Sequence, residues 1–269
     1  MPPARGLLYV ATVSAIALMV RSVVIAPLPI WVAASALGLY AGLILLGVLV
    51  LRLGVFVDVL WRGPRDARGV ALTFDDGPSP EHTPKVLDLL DEAGVKATFF
   101  VIGRKAEAHP ELVRAIAERG HAVGVHGYGH SRMYAFLSAE AVRLDLARAI
   151  EVVEKATGEA PKLFRPPIGH TSPRVARALE DFDVDVIGWS ARGLDGVRGA
   201  RADRVAARIS PHLRDGAIVL LHDAAERDDF TPAGVAALPK ILAAMARLNL
   251  PGVRVDAWVD ALEPADQKR

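Results

Sequence analysis

The chain has 269 residues, a formal net charge of +1 and no cysteine. That charge balance leaves no electrostatic footprint for a nucleic-acid partner. The absence of cysteine excludes disulfides, thiolate zinc ligands and a cysteine nucleophile, so any metal must be held by histidine and carboxylate.

Apolar residues crowd the N-terminus. No charge appears from Gly6 to Val20, and after Arg21 none appears until Arg52. As one helix, Gly6 to Leu51 would run roughly 69 Å, about twice the thickness of a hydrocarbon core. Two membrane spans fit better, over residues 6–26 and 31–51, with Pro27 and Pro29 marking the turn. Arg21 then lies near the end of its span and snorkels to the headgroups, since at the centre it would cost roughly 3 kcal/mol. A cleaved signal peptide fits less well, because the apolar pattern runs past any such segment. Ala34, Gly38 and Gly42 form a small-residue ridge on the second span, expected to pack against the first. Arg5, Arg52, Arg62, Arg65 and Arg68 flank one side of the hairpin and Arg21 the other. By the positive-inside rule both termini are cytoplasmic. The expectation is a multi-pass inner-membrane protein whose soluble part faces the cytoplasm.

Residues 1–52 therefore form a hairpin. Residues 53–69 read as a juxtamembrane linker or an interfacial helix with Trp61 at headgroup depth. From Val70 onward, strands alternate with helices. Strand-like runs cover 70–74, 96–102, 121–126, 162–165, 184–189, 217–222 and 252–255. One helix opens at Pro84 and stops at Gly94, another runs from Pro110 to Gly120, and the longest from Ser138 to Gly158. This alternation predicts one α/β domain, residues 70–269, on a parallel sheet or barrel.

In such folds, chemistry collects at the carboxyl ends of strands. Asp75 and Asp76 end the first run, His126 the third, Arg165 the fourth, Trp189 the fifth and His222 the sixth. Gly77-Pro78 breaks the first strand, so two side chains that would alternate in a regular strand can converge there. Adjacent carboxylates repel unless a cation or a proton intervenes. His126 and His130 are spaced i, i+4, close enough for one metal. Two histidines and a carboxylate with open positions form a catalytic metal arrangement. Pro166 and Pro167 hold Arg165 in a rigid loop. A histidine at the end of a buried strand, as His222 is, suits a general acid near neutral pH. His170, just after the rigid loop, is placed to touch substrate.

These segments resemble the polysaccharide deacetylase family, carbohydrate esterase family 4, from about Val70 to about Trp258. The resemblance lies in Thr73-Phe74-Asp75-Asp76-Gly77-Pro78, His126-Gly-Tyr-Gly-His130, Arg165-Pro-Pro-Ile-Gly169, Trp189 through Asp195, and Leu220-Leu221-His222-Asp223. It implies a distorted (β/α) barrel behind the transmembrane hairpin, and removal of acyl groups from sugars with one divalent metal, zinc foremost, or cobalt, nickel or manganese. Carried over by position, Asp76, His126 and His130 bind the metal and Asp75 is the general base. His222 protonates the leaving amine, Arg165 orients Asp75, and Asp195 tunes Arg165 or His222. The backbone N–H of Ile168 helps hold the oxyanion, and Pro167, Ile168, Gly169, His170, Trp189 and Leu220 contact substrate. Gly127, Ile168 and Gly196 depart from the hydroxyl or aromatic residues usual at those positions, which bears on substrate rather than reaction. With a cytoplasmic active site, the expected substrate is an N-acylated amino sugar on a polyprenyl phosphate lipid. The alternatives are an extracytoplasmic peptidoglycan or exopolysaccharide N-deacetylase, and a non-catalytic glycan-binding relative.

Overall fold

The computed structural model describes residues 1–262. Residues 263–269, assigned above to the soluble domain, lie outside the described residues. The N-terminal hairpin consists of α1 (Pro3–Val24) and α2 (Ile30–Leu49). Each begins at or just after a proline, whose missing N–H is no loss in a first turn. Both are long and apolar enough to cross a membrane. Their apolar side chains face outward, with Val23 83% and Ile30 84% exposed, where a helix of a soluble protein would bury one stripe. The Thr12 and Tyr40 hydroxyls meet at 3.0 Å between the two helices. The small-residue ridge lies elsewhere, contrary to expectation: a Cβ at Gly38 or Gly42 would meet nothing within 4 Å. Two positions along a helix turn the face by roughly 200°, so Gly38 and Gly42 point away from the side that carries Tyr40.

Seven parallel strands make one sheet in the order β5-β4-β3-β2-β1-β7-β6. They are β1 (Val70–Asp75), β2 (Thr98–Val101), β3 (Ala122–Val125), β4 (Leu163–Phe164), β5 (Asp185–Val186), β6 (Ala191–Arg192) and β7 (Ala217–His222). The edge strands β5 and β6 are almost consecutive in sequence, so the sheet curls until its edges approach. Leu60 bridges Ile187 and Arg62 bridges Ala217, filling the seam. Residues 54–69 thus form no interfacial helix; their last part belongs to the barrel wall. The strand expected over 184–189 is reduced to β5 at one edge, and β6, just beyond that run and not expected, takes the opposite edge. At Gly188 a Cβ would come within 3.0 Å of Val59, so the seam packs too tightly there for a side chain. The run at 252–255 is reduced to one bridge, Gly252 to Val70. Pro251 has no N–H for a ladder, and the Val255 N–H goes to the Thr98 hydroxyl.

The surrounding helices are α3 (Thr83–Glu92), α4 (Gly103–Ala108), α5 (Pro110–Glu118), α6 (Ala139–Thr157), α7 (Pro173–Leu179), α8 (Ala202–Ile209), α9 (Ala233–Arg247) and α10 (Asp256–Leu262). Three of them, α3, α5 and α6, occupy the predicted stretches. Ser138 caps α6 by accepting from the Ala141 N–H, and Gly158 closes it in the left-handed region.

Side-chain alternation along the strands sorts the rest. Val70, Leu72 and Phe74 of β1 face outward and join Val86, Leu87 and Leu90 of α3 in the larger core. Ala71, Phe100, Leu163, Ile187 and Ile218 face inward and are plugged from below by Trp258 and Val259 of α10. Above that plug the same inward parity selects Asp75 on β1, His126 beyond β3, Arg165 beyond β4, and Leu220 and His222 on β7. A two-residue period therefore aims five side chains into one mouth.

Candidate active site

Asp75, Asp76, His126, His130 and His222 line one cavity of about 650 Å³ at the carboxyl end of the barrel. Asp75 and His222 are direct neighbours across β1 and β7. Asp76 follows the strand with φ of 70°. That left-handed turn swings its carboxylate to the same side as that of Asp75. Asp76, His130 and Ile168 all carry positive φ at non-glycine residues, and all three line the cavity. Such strain persists where the surroundings over-determine it. The cis peptide Gly77-Pro78 follows.

Asp76, His126 and His130 each present a ligand atom, all within 4.8 Å of one another. The Asp76 Oδ1 lies 3.2 Å from His130 Nε2 and 3.7 Å from His126 Nε2. His126 donates from Nδ1 to the Arg165 carbonyl at 2.6 Å. Its Nε2 therefore carries a lone pair aimed at a carboxylate oxygen that has no hydrogen-bond partner despite its burial. A cation between them resolves this clash, and a backbone carbonyl behind a ligating histidine is the usual support. The residues present thus fit a divalent metal.

The electrostatics agree. Burial holds His126 down to about 3, with the Arg165 charge adding to the effect against the bond to its carbonyl. Burial and the neighbouring His126 hold His130 to about 3. Both rings are therefore neutral ligands at physiological pH. Burial raises Asp76 to about 7, with Asp75 adding to the rise and His222 opposing it. A cation must displace that proton, so metal affinity is expected to fall about tenfold per pH unit below about 7 and to level off above it. Cobalt titrations followed by visible absorption at pH 5.5 and 7.5 test this; equal affinities would contradict it.

Arg165 is wholly buried. It donates to Asp75 Oδ1 at 2.6 Å, the Thr73 hydroxyl at 2.8 Å, and the carbonyls of Ile187 and Gly188 at 3.2 and 3.0 Å. Its guanidinium stacks 4.1 Å from the centre of the Phe100 ring. Asp195 contacts His222, not Arg165: its carboxylate accepts from the His222 backbone N–H at 2.7 Å and lies 3.2 Å from Nδ1. Burial disfavours the His222 cation, but Asp195, with Asp76 and Asp75 behind it, pushes the ring up to about 10. At neutral pH His222 therefore carries a proton to give. A Cβ at Gly196 would come within 2.9 Å of the His222 ring, so glycine in place of the usual aromatic leaves room for it.

The family model for polysaccharide deacetylases matches residues 62–187. A peptidoglycan-N-acetylglucosamine deacetylase from Bacillus cereus is 35% identical over 185 residues, covering 67% of this chain and 64% of its own. A chitooligosaccharide deacetylase from Sinorhizobium fredii is 35% identical over 203 residues, covering 71% and 90%. The chain belongs to the polysaccharide deacetylase family. It thus spans just under two thirds of the Bacillus cereus relative and nearly all of the Sinorhizobium fredii one. A family 4 acetyl xylan esterase from Clostridium thermocellum, in complex with a cobalt ion, superposes with a TM-score of 0.65 at 33% identity, covering 71% and 90%. A pseudoenzyme of the same family from Bacillus anthracis superposes with a TM-score of 0.67 at 26% identity, covering 77% and 71%. The deacetylase fold alone therefore does not decide activity; the side chains in the cavity must.

Of the residues proposed to touch substrate, Ile168, Gly169, Trp189 and Leu220 line the cavity. Pro167 and His170 do not. Pro167 is buried behind Gly127, and after His170 the chain turns to α2, where the Thr171 N–H meets the Val48 carbonyl at 3.3 Å. Three supporting residues escaped the sequence. Asp145 of α6 accepts from the backbone of Tyr128 and Gly129 and fixes the histidine loop. Glu226 lies 3.9 Å from His130 Nδ1 and is held by Arg132. Thr73 helps seat Arg165. An acid on a helix and one in a loop carry no local signal. Thr73 shares its parity with Asp75, and that alternation could have found it.

Proposed function

We propose that this chain is a metal-dependent amide hydrolase that removes the acetyl group from N-acetylglucosamine units of a glycan. The observation that supports this most is an intact constellation: Asp75 held by Arg165, His222 held by Asp195, and an unpartnered Asp76 oxygen facing two neutral imidazoles. None of the proposed ligands, base or acid is missing, so a non-catalytic glycan binder is disfavoured. Relatives named for peptidoglycan and chitooligosaccharide favour a glycan over the lipid-linked sugar expected above.

A divalent cation held by Asp76, His126 and His130, zinc or cobalt by ligand type, would acidify water and polarise the amide carbonyl. Asp75, anchored through Oδ1, takes a proton from the water that attacks the carbonyl carbon. His222, on the adjacent strand, returns a proton to the amine nitrogen as the C–N bond breaks. Acetate and the free amino sugar leave. The Ile168 backbone N–H at the rim helps hold the negative oxygen. The full chain in detergent should release acetate from chitotetraose, lose that activity with a strong chelator and regain it with zinc or cobalt. Turnover unaffected by chelation would sink the reading.

One observation favours the second reading, a cytoplasm-facing enzyme for lipid-linked sugars: the arginines gather on the soluble side of the hairpin. A reporter fused after Arg269 decides the side. Phosphatase activity there means the outside, and green fluorescence without it means the cytoplasm.

A further inference from the structure

The two histidines that face Asp76 are supported unequally. His126 rests its Nδ1 on the Arg165 carbonyl at 2.6 Å. His130 turns Nε2 toward Asp76, 3.2 Å from Oδ1, and its Nδ1 is buried with no hydrogen-bond partner among the described residues. With Nε2 as the nitrogen that faces the ion, Nδ1 of the neutral ring carries the proton. A buried N–H without an acceptor is costly. A ligating histidine nearly always gives that proton to a carboxylate, a carbonyl or water.

Glu226 supplies an acceptor within reach. It sits in the loop between β7 and α9, with Oε1 3.9 Å from His130 Nδ1 and the side chain 17% exposed. Its other oxygen is occupied: Arg132 grips Oε2 with Nε at 2.9 Å and a terminal nitrogen at 2.8 Å. That grip leaves Oε1 free for the ring. The terminal torsion of a glutamate is broad, so the carboxylate can turn about its held oxygen and close the gap to Nδ1. The loop is pinned as well. Arg104 donates to the Glu226 carbonyl at 2.7 Å. Lys105, itself buried, donates to the Ala225 carbonyl and the Asp228 carboxylate, both at 2.6 Å. Both cations belong to α4, so the backbone at residue 226 is fixed before its side chain begins. Glu226 faces the far nitrogen of the ring, while the ligand atoms that gather within 4.8 Å come from Asp76, His126 and His130.

We propose that Glu226 is a positioning residue for the metal. Its Oε1 accepts the Nδ1 hydrogen bond of His130, which fixes Nε2 as the ligand nitrogen and makes the imidazole a stronger donor to the ion. Arg132 keeps the carboxylate in place. The inference rests on Asp76, His126 and His130 as the ligand set of the amidase reading, and adds what tunes one of them.

The test is cobalt affinity of the full chain in detergent, measured by competition with a chromophoric chelator at about pH 7.5, where the ligands are free of protons. Glu226→Ala should weaken binding about 10- to 100-fold. Glu226→Gln keeps an acceptor oxygen and nearly the same shape, so its loss should be smaller, and it serves if alanine loosens the loop. Arg132→Met frees the carboxylate without touching the ring and should also lose less than Glu226→Ala. Asp229→Asn removes a charge from the same loop and cavity wall, and its effect should stay within about threefold because an exposed charge is screened. Thermal melting without metal checks each fold. At cobalt saturation the visible band of Glu226→Ala should match that of the wild type, since the three ligands remain. Glu226→Ala binding as tightly as wild type would overturn the proposal. So would an equal loss in Asp229→Asn, which marks a general field effect, or an altered band at saturation, which marks Glu226 as a ligand. Acetate release by the wild-type chain is read beside these. Cobalt affinity that depends on Glu226 without acetate release keeps the positioning role and removes the amidase reading; acetate release with affinity independent of Glu226 does the reverse.

Discussion

Asp75→Asn should lower turnover on the order of 10³-fold, the range for loss of a positioned general base, while the protein keeps its metal. Asparagine preserves shape and can still accept the Arg165 hydrogen bond through its amide oxygen, but it cannot take a proton from water. The ligands Asp76, His126 and His130 are untouched by the change. Metal content by elemental analysis, measured beside acetate release, separates the two roles. A variant that keeps its turnover would remove Asp75 as base. One that loses metal along with activity would make Asp75 a ligand, a real alternative because its Oδ2 stands 3.7 Å from His126 Nε2.

Arg165→Met should cost stability as well as activity, about 3–5 kcal/mol by the usual cost of stranding one charge of a buried pair. Arg165 is fully buried and its partner Asp75 nearly so. Burial disfavours the guanidinium charge and Asp75 opposes that effect, so each charge is tolerated because of the other. Methionine fills similar volume, so the loss would come from the orphaned carboxylate and the unmet carbonyls of Ile187 and Gly188 rather than from a cavity. Those carbonyls lie at the barrel seam, so the seam should loosen with them. Denaturation in detergent measures the change. The double variant Arg165→Met/Asp75→Asn should recover part of the loss, since it removes the stranded charge. A double variant no more stable than the single one would mean that charge pairing is not what holds this centre.

Much of the site was legible from local pattern. Carboxylates, histidines and an arginine at the ends of apolar runs pointed to one barrel mouth, and parity along those runs explains why they meet. The limit of that pattern shows at Asp195. Sequence left it between Arg165 and His222, because a loop aspartate has no fixed direction; the fold turns it to His222, where it anchors both backbone and ring. The strand expected over 184–189 came out shorter for a related reason. Short apolar runs record burial, not which edge of a sheet receives them; this run forms only β5 at one edge, and β6, which follows it, takes the other. Asp145 and Glu226 were invisible because their partners lie 16 or more residues away.

What the sequence by itself determined was the two apolar helices, the alternation of strand and helix, and the inventory of acids, imidazoles and guanidinium at strand ends. Hydrophobic period and proline or glycine punctuation act over a few residues, so they can be read one window at a time. Tertiary structure alone decided which strands became neighbours, how the barrel seam closed on Leu60 to Arg62, and that α2 ends beside the active-site mouth. Those outcomes depend on the whole curled sheet finding its own edges, a long-range packing result that no window of residues encodes.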